Sequence, residues 1–116
     1  RDLYDCIVIG FTDAKFGKTG KFAGLVGAVT VGMIVNGVLR PICNVSGMAD
    51  SVRIDMTLYP DRYIGKVCSI WAMEQDRNSL ALIEPSWRSL RIDKRPEECI
   101  YELDRVDDQE DRMVDL

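Results

Sequence analysis

Apolar and polar residues alternate loosely from Tyr4 to Asp13, with β-branched and aromatic side chains prominent, and this pattern predicts a strand. A glycine- and lysine-rich loop over 14–20 follows. The apolar segment from Lys21 to Val31 predicts a second strand, in which Gly24 and Gly27 suggest a sharp bend or bulge, as at the corner of a small barrel. Asn36-Gly37 lies between two apolar runs and signals a hairpin leading into a third strand at about 38–45. After Ser46-Gly47 the period changes: Met48, Val52 and Met56 recur every four residues, with Asp50, Arg53 and Asp55 between them, which predicts one short helix. Tyr59-Pro60-Asp61 ends it. Tyr63 to Met73 predicts a fourth strand, Glu74 to Ser79 a polar turn, and Leu80 to Ile92 a fifth strand interrupted at Pro85. Pro96 suits the first turn of a short helix before an acidic end.

Three strands, a helix and two strands is the element order of an OB-fold barrel. The expected architecture is therefore mainly β: a five-stranded OB-fold barrel with one helix between strands 3 and 4 and a short C-terminal helix or tail. A different barrel of five or six strands is the alternative. Residues 1–98 form the expected domain, and 99–116 an acidic, partly helical tail.

A chain of 116 residues has room for one domain and can bury a core without metal or disulfide staples, which excludes a two-domain enzyme. Its 47% hydrophobic and 29% charged residues speak against a disordered chain and against a membrane protein, and no apolar run approaches the ~20 residues of a membrane helix. The chain opens on Arg1 and turns strand-like at Tyr4, so no leader peptide is expected, and it reads as a piece of something longer. The net charge of -4 is uneven: residues 1–98 hold 13 basic and 12 acidic side chains, whereas 99–116 hold 2 and 7. Acidity in the tail leaves local Lys and Arg clusters free to bind nucleic acid. Cys6, Cys43, Cys68 and Cys99 are 37, 25 and 31 positions apart, a spacing poor for zinc, and are expected to be reduced, apolar-like side chains. With no histidine in the chain, triads built on Ser-His or Cys-His cannot form within it.

Two constellations carry chemistry. Gly17-Lys18-Thr19-Gly20-Lys21 resembles half of a phosphate loop, but it lacks the upstream glycine and a following helix, so a nucleotide-hydrolysing site is rejected. In an OB barrel the loops joining strands 1 to 2 and 4 to 5 face oligonucleotides, and here they carry Lys15, Lys18, Lys21 and Arg77. These cations suit sequence-independent phosphate contacts; the plainer account is a solvated hairpin loop. The second constellation runs from Pro85 to Glu98. If the strand continues to about Asp93, Arg91 and Asp93 share a face: Arg offers a planar fork to phosphate oxygens, Asp can lock it, and Lys94 adds a mobile charge. A polyphosphate suits that cluster; a surface ion-pair strip is the plainer account.

Leu90-Arg91-Ile92-Asp93-Lys94-Arg95-Pro96-Glu97-Glu98 closely resembles the last motif of ATP-dependent DNA ligases, Arg-x-Asp-Lys followed by a Pro-Glu-Glu-like turn. Asp5-Cys6-Ile7-Val8-Ile9-Gly10, with Gly17-Lys18-Thr19-Gly20-Lys21-Phe22-Ala23-Gly24, is similar to the strand and loop that open the ligase OB domain. Val45-Ser46-Gly47-Met48 and Tyr63-Ile64-Gly65-Lys66-Val67 stand where that family has the turn before the helix and the start of the fourth strand. The likeness covers about residues 3–98. Two departures stand out: Ser89 replaces a basic residue two positions before Arg91, with Arg88 one step earlier, and Ile83-Glu84-Pro85 replaces an aromatic that meets the minor groove near the nick.

The resemblance implies the C-terminal OB domain of an ATP-dependent DNA ligase. Arg91, Asp93 and Lys94 would be catalytic: Arg91 and Lys94, with Arg88 as candidate second arginine, would bind the nucleotide's pyrophosphate, and Asp93 would orient them. Lys15, Lys18, Lys21, Arg77 and Ile83 would meet DNA. ATP and Mg2+ are the implied cofactors of the full enzyme, none held by this chain alone, since the Lys-x-Asp-Gly nucleophile motif is missing. The implied partners are nicked double-stranded DNA and the nucleotidyltransferase domain of the same polypeptide, in a monomer with no membrane contact. The expected location is intracellular: the cytoplasm of a bacterium or phage-infected cell, or the nucleus. This account requires that Arg91 and Lys94 not be buried against acids of the barrel itself. Its rivals are the OB domain of an mRNA capping guanylyltransferase, a free-standing single-strand-binding OB module stacking bases on Phe11, Phe16 or Phe22, and a protein-interaction domain using the tail.

Overall fold

A computed structural model describes residues 1–13 and 24–101. Five strands form one antiparallel sheet: β1 (Asp2–Asp13), β2 (Val26–Val35), β3 (Val38–Val45), β4 (Val67–Ala72) and, after a small hairpin, β7 (Ser86–Leu90). The sheet order is β3-β2-β1-β4-β7. Its two edges meet at a single parallel bridge between Ser46 and Ser86, where the N–H of Trp87 donates to the Ser46 carbonyl at 2.8 Å. Among the described residues the structure is thus mainly β with one α-helix, its sheet curled until the edges touch.

Alternation along each strand sorts side chains between two faces. Cys6 and Val8 of β1 point inward with Val29 and Val31 of β2, Val45 of β3 and Ile70 of β4. Helix α1 (Asp50–Leu58) contributes Met56, which is fully buried, while Met48 enters the core just before the helix. Arg53 fastens the helix to β2 by donating from Nη1 to the carbonyls of Val26 at 2.6 Å and Gly27 at 2.9 Å. Asn36 and Gly37 form the predicted turn, with φ of 52° and 79°, the left-handed pair that a two-residue hairpin requires.

Several boundaries differ from the sequence reading. β2 starts at Val26, because Gly24 has a φ of 77° and turns the chain before the strand rather than bending it from within. The fourth strand starts at Val67 instead of Tyr63: Pro60–Arg62 makes a 3-10 turn, and Gly65 at φ 82° donates to the Val8 carbonyl at 2.8 Å, so pairing with β4 waits until Val67. The fifth strand is interrupted at Pro85 as expected, but its pieces are shorter, starting at Leu82 and ending at Leu90. Leu80 and Glu84 hold left-handed conformations (φ 67° and 51°) that no continuous strand accommodates. What forms is a short pair, β5 (Glu74–Gln75) with β6 (Leu82–Ile83), followed by β7. The expected C-terminal helix is one 3-10 turn, Pro96–Glu98. Residues 99–101, assigned to the tail in the sequence reading, run beside Ile34: its N–H donates to the Cys99 carbonyl at 2.7 Å, and its carbonyl accepts from Tyr101 at 2.9 Å. Cys99 is buried there with Ile7 and Val67 on the outer face of the sheet.

Candidate nucleotide and DNA site

The arginine cluster owes its position to an irregularity in β7. Ile70 pairs with Trp87 and Ser69 with Ser89, so Arg88 is an extra residue opposite β4. This bulge shifts the alternation, and Trp87 and Leu90 both pack toward the core although three positions apart. Arg88 is thereby left exposed, and Arg91, whose N–H still pairs with the Val67 carbonyl at 2.8 Å, leaves the sheet on its outer side. The chain then turns over 92–94, with Ile92 96% exposed at the tip.

Arg91 and Asp93 come together although β7 ends at Leu90 rather than near Asp93, and Lys94, expected to turn away from them, joins them through a fourth group. Arg91 donates from Nε and Nη2 to the two oxygens of Asp93 at 3.2 and 3.3 Å. Its Nη1 donates to Oδ2 of Asp5 at 2.7 Å, and Nζ of Lys94 donates to the same oxygen at 2.9 Å. The hydroxyl of Ser69, opposite Asp5 in the register of β1 with β4, is 3.4 Å from Oδ1. The pair therefore does lean on an acid of the barrel, but neither cation is buried: the side chains are 42% exposed for Arg91 and 25% for Lys94. Burial opposes ionisation of Asp5, yet the hydrogen bonds and charges of Lys94 and Arg91 outweigh it and hold its carboxyl below the usual aspartate range. The bond from Arg91 likewise lowers Asp93, and the bond to Asp5 raises Lys94.

Two open grooves flank Asp5. One, of about 540 Å³, is lined by Asp5, Ser69, Arg88, Arg91 and Asp93 among others; the second, of about 460 Å³, by Asp5, Lys94, Gln75 and Glu98 among others. Arg88 thus shares a groove with Arg91, and its guanidinium carbon also sits 5.7 Å from the centre of the Trp71 ring, over which Arg1 lies at 4.5 Å.

The remaining candidates are dispersed. Arg77 is exposed in the turn between β5 and β6, and Ile83 is 40% exposed on β6, next to Glu84 and Pro85. Lys15, Lys18 and Lys21 lie outside the described residues, as do Phe16 and Phe22. Phe11 packs edge-on against Tyr63 with ring centres 6.4 Å apart, at the margin of the core. The sequence reading did not single out Asp5 as a site residue, although the residue opens the Asp5-to-Gly10 motif; Ser69 and Trp71 carried no signal.

No family model and no curated protein matches the chain. Its fold is similar to that of solved DNA ligases. The ligase domain of LigD from M. tuberculosis aligns with a TM-score of 0.69 and 21% identity, over 87% of this chain and 39% of that one. A mycobacterial DNA ligase D complexed with ATP and MES aligns with a TM-score of 0.62 and 20% identity, over 87% and 38%. The Chlorella virus DNA ligase-adenylate aligns with a TM-score of 0.56 and 19% identity, over 80% and 31%. The chain therefore spans well under half the length of each of these proteins, with which it shares a fold.

Proposed function

We propose that this chain is the OB domain of an ATP-dependent DNA ligase, working with a nucleotidyltransferase domain in the same polypeptide. The observation that carries the reading is the convergence of Arg91 Nη1 and Lys94 Nζ on one point beside an open groove, at the Arg-x-Asp-Lys motif. Two cationic donors aimed at a shared acceptor suit phosphate oxygens, and their incomplete burial leaves them able to meet a phosphate held by a docked neighbour. The donor set fits ATP at its phosphates; ATP, bound on the neighbouring domain with Mg2+, supplies the adenylyl group. Arg91 and Lys94 then offset the negative charge that builds on the departing pyrophosphate, Asp93 keeps the guanidinium plane aligned through its two contacts, and Arg88 is the second arginine of the same groove.

During strand sealing the domain turns a different surface toward the minor groove of nicked duplex DNA. Lys15, Lys18, Lys21 and Arg77 make phosphate contacts there, and Ile83 stands in for the aromatic wedge. The edge-on packing of Phe11 against Tyr63 favours this duplex reading over base stacking by a single-strand module.

The test uses the longer polypeptide. Arg91→Ala and Lys94→Ala should each slow self-adenylation about a hundredfold, the scale of one lost electrostatic donor, while sealing of DNA already adenylated changes by less than about tenfold. Equal losses in both assays overturn the assignment. ATP rather than GTP dependence separates the ligase from a capping enzyme.

A further inference from the structure

The Arg91 cluster is neutral as it stands: Arg91 and Lys94 face Asp5 and Asp93. A phosphate approaching a neutral, hydrogen-bonded cluster gains little unless a carboxylate gives up its donors. The two carboxylates are not equivalent. Asp93 is 68% exposed and meets only the outer edge of Arg91, at 3.2 and 3.3 Å. Asp5 is 18% exposed, is held on β1 opposite Ser69, and accepts from both cations at 2.7 and 2.9 Å through the same oxygen. That oxygen lies where donors from two side chains converge, the place a phosphate oxygen would take.

The geometry points to Asp5 as an internal competitor for phosphate: its carboxylate fills the shared acceptor point of Arg91 and Lys94, aims both cations at it, and must be displaced before a polyphosphate binds there. This rests on the reading of Arg91 and Lys94 as polyphosphate ligands. Asp5 is a positioning residue, acting through the two cations. The consequence is selectivity by context. Free phosphates compete poorly with a carboxylate fixed on the sheet, whereas a polyphosphate presented by a docked domain arrives at high effective concentration and can displace it.

Calorimetric titration of the chain with inorganic tripolyphosphate provides the test. Asp5→Asn should bind about fivefold more tightly than the unaltered chain, the size of one partly screened charge interaction. The gain should vanish when Arg91→Ala and Lys94→Ala are added. Asp61→Asn, which changes net charge equally at an exposed position away from the cluster, should leave affinity unchanged. Equal or weaker binding by folded Asp5→Asn, a matching gain in Asp61→Asn, or no binding by any of the proteins overturns the inference. The unaltered chain offers a second measurement, independent of whether Asp5→Asn folds. Carbon-detected NMR should show the acid titration of the Asp5 carboxylate moving up toward the ordinary aspartate range on saturation with tripolyphosphate, and an unmoved midpoint overturns the inference. Lack of self-adenylation by the longer polypeptide would sink the ligase reading and leave these binding results standing; a failed titration would leave adenylation untouched.

Discussion

Nη1 of Arg91 lies 2.7 Å from Oδ2 of Asp5, joining residues 86 positions apart. One partner lies within β1, and the other just beyond β7, so the contact reports whether the two strands keep their register across β4.

Acid should expose this link. Because Asp5 is held below its ordinary range in the folded chain, its ionisation adds stability above that range, and the contribution disappears as pH falls through the lowered value. Arg91→Ala with Lys94→Ala should therefore melt at a lower temperature than the unaltered chain near about pH 7, and the difference should narrow as pH falls below the ordinary aspartate range and the carboxyl takes up its proton. A difference that persists at the acidic end would assign the effect to packing.

Tyr63 donates its hydroxyl to Oδ2 of Asp55 at 2.6 Å, tying the segment before β4 to helix α1. Burial first, and the neighbouring carboxylate second, push the phenol up to about 12. A raised phenol favours the neutral form in the folded chain, so the stabilisation is complete below about pH 10 and fades as pH rises toward 12. Tyr63→Phe should cost about 1–2 kcal/mol in urea unfolding at neutral pH. In absorbance titration the same variant should lose the phenol step near 12.

Gly47 follows the Ser46–Ser86 bridge, where the sheet's edges meet, with a φ of 88°. A β-carbon there would sit 3.1 Å from that of Ser86 and force a left-handed conformation on a non-glycine residue. Gly47→Ala should destabilise by about 1–3 kcal/mol. Gly10→Ala, where an added β-carbon meets nothing within 4 Å, should stay within about 0.5 kcal/mol. Equal losses at both positions would remove the close approach to Ser86 as the explanation.

If Lys18 and Lys21 contact backbone phosphates, replacing both with Gln in the longer polypeptide should weaken binding to nicked duplex and reduce the salt slope by about two, near one per contact. Fluorescence anisotropy across a salt series reads this directly. An unchanged slope would remove the loop from the interface.

Local patterns made some features legible. Asn36-Gly37 carries its own turn chemistry, and the four-residue recurrence of Met48, Val52 and Met56 locates the helix; both depend on neighbours within a few positions. The Arg91–Asp93 pairing was legible for the same reason, since its two contacts span only two residues, whereas Lys94 joins Arg91 only through Asp5, 89 positions away. The break of the fifth strand at Pro85 was legible, but its β-rich composition gave no warning that Leu80 and Glu84 would turn left-handed. Arg88 looked like any strand residue, and only pairing with β4 revealed it as the bulge.

The order of elements, the hairpin, the helix and the motif that invites a ligase reading follow from short-range chemistry, which a chain displays without being folded. Which acid the two cations share, which side of the sheet Arg88 takes, and where the edges meet were decided only by tertiary structure. Cross-strand register brings Asp5 level with Ser69 and sets Arg91 beside Val67, and register is a property of the whole sheet: a shift of one residue would send every one of these side chains to the opposite face.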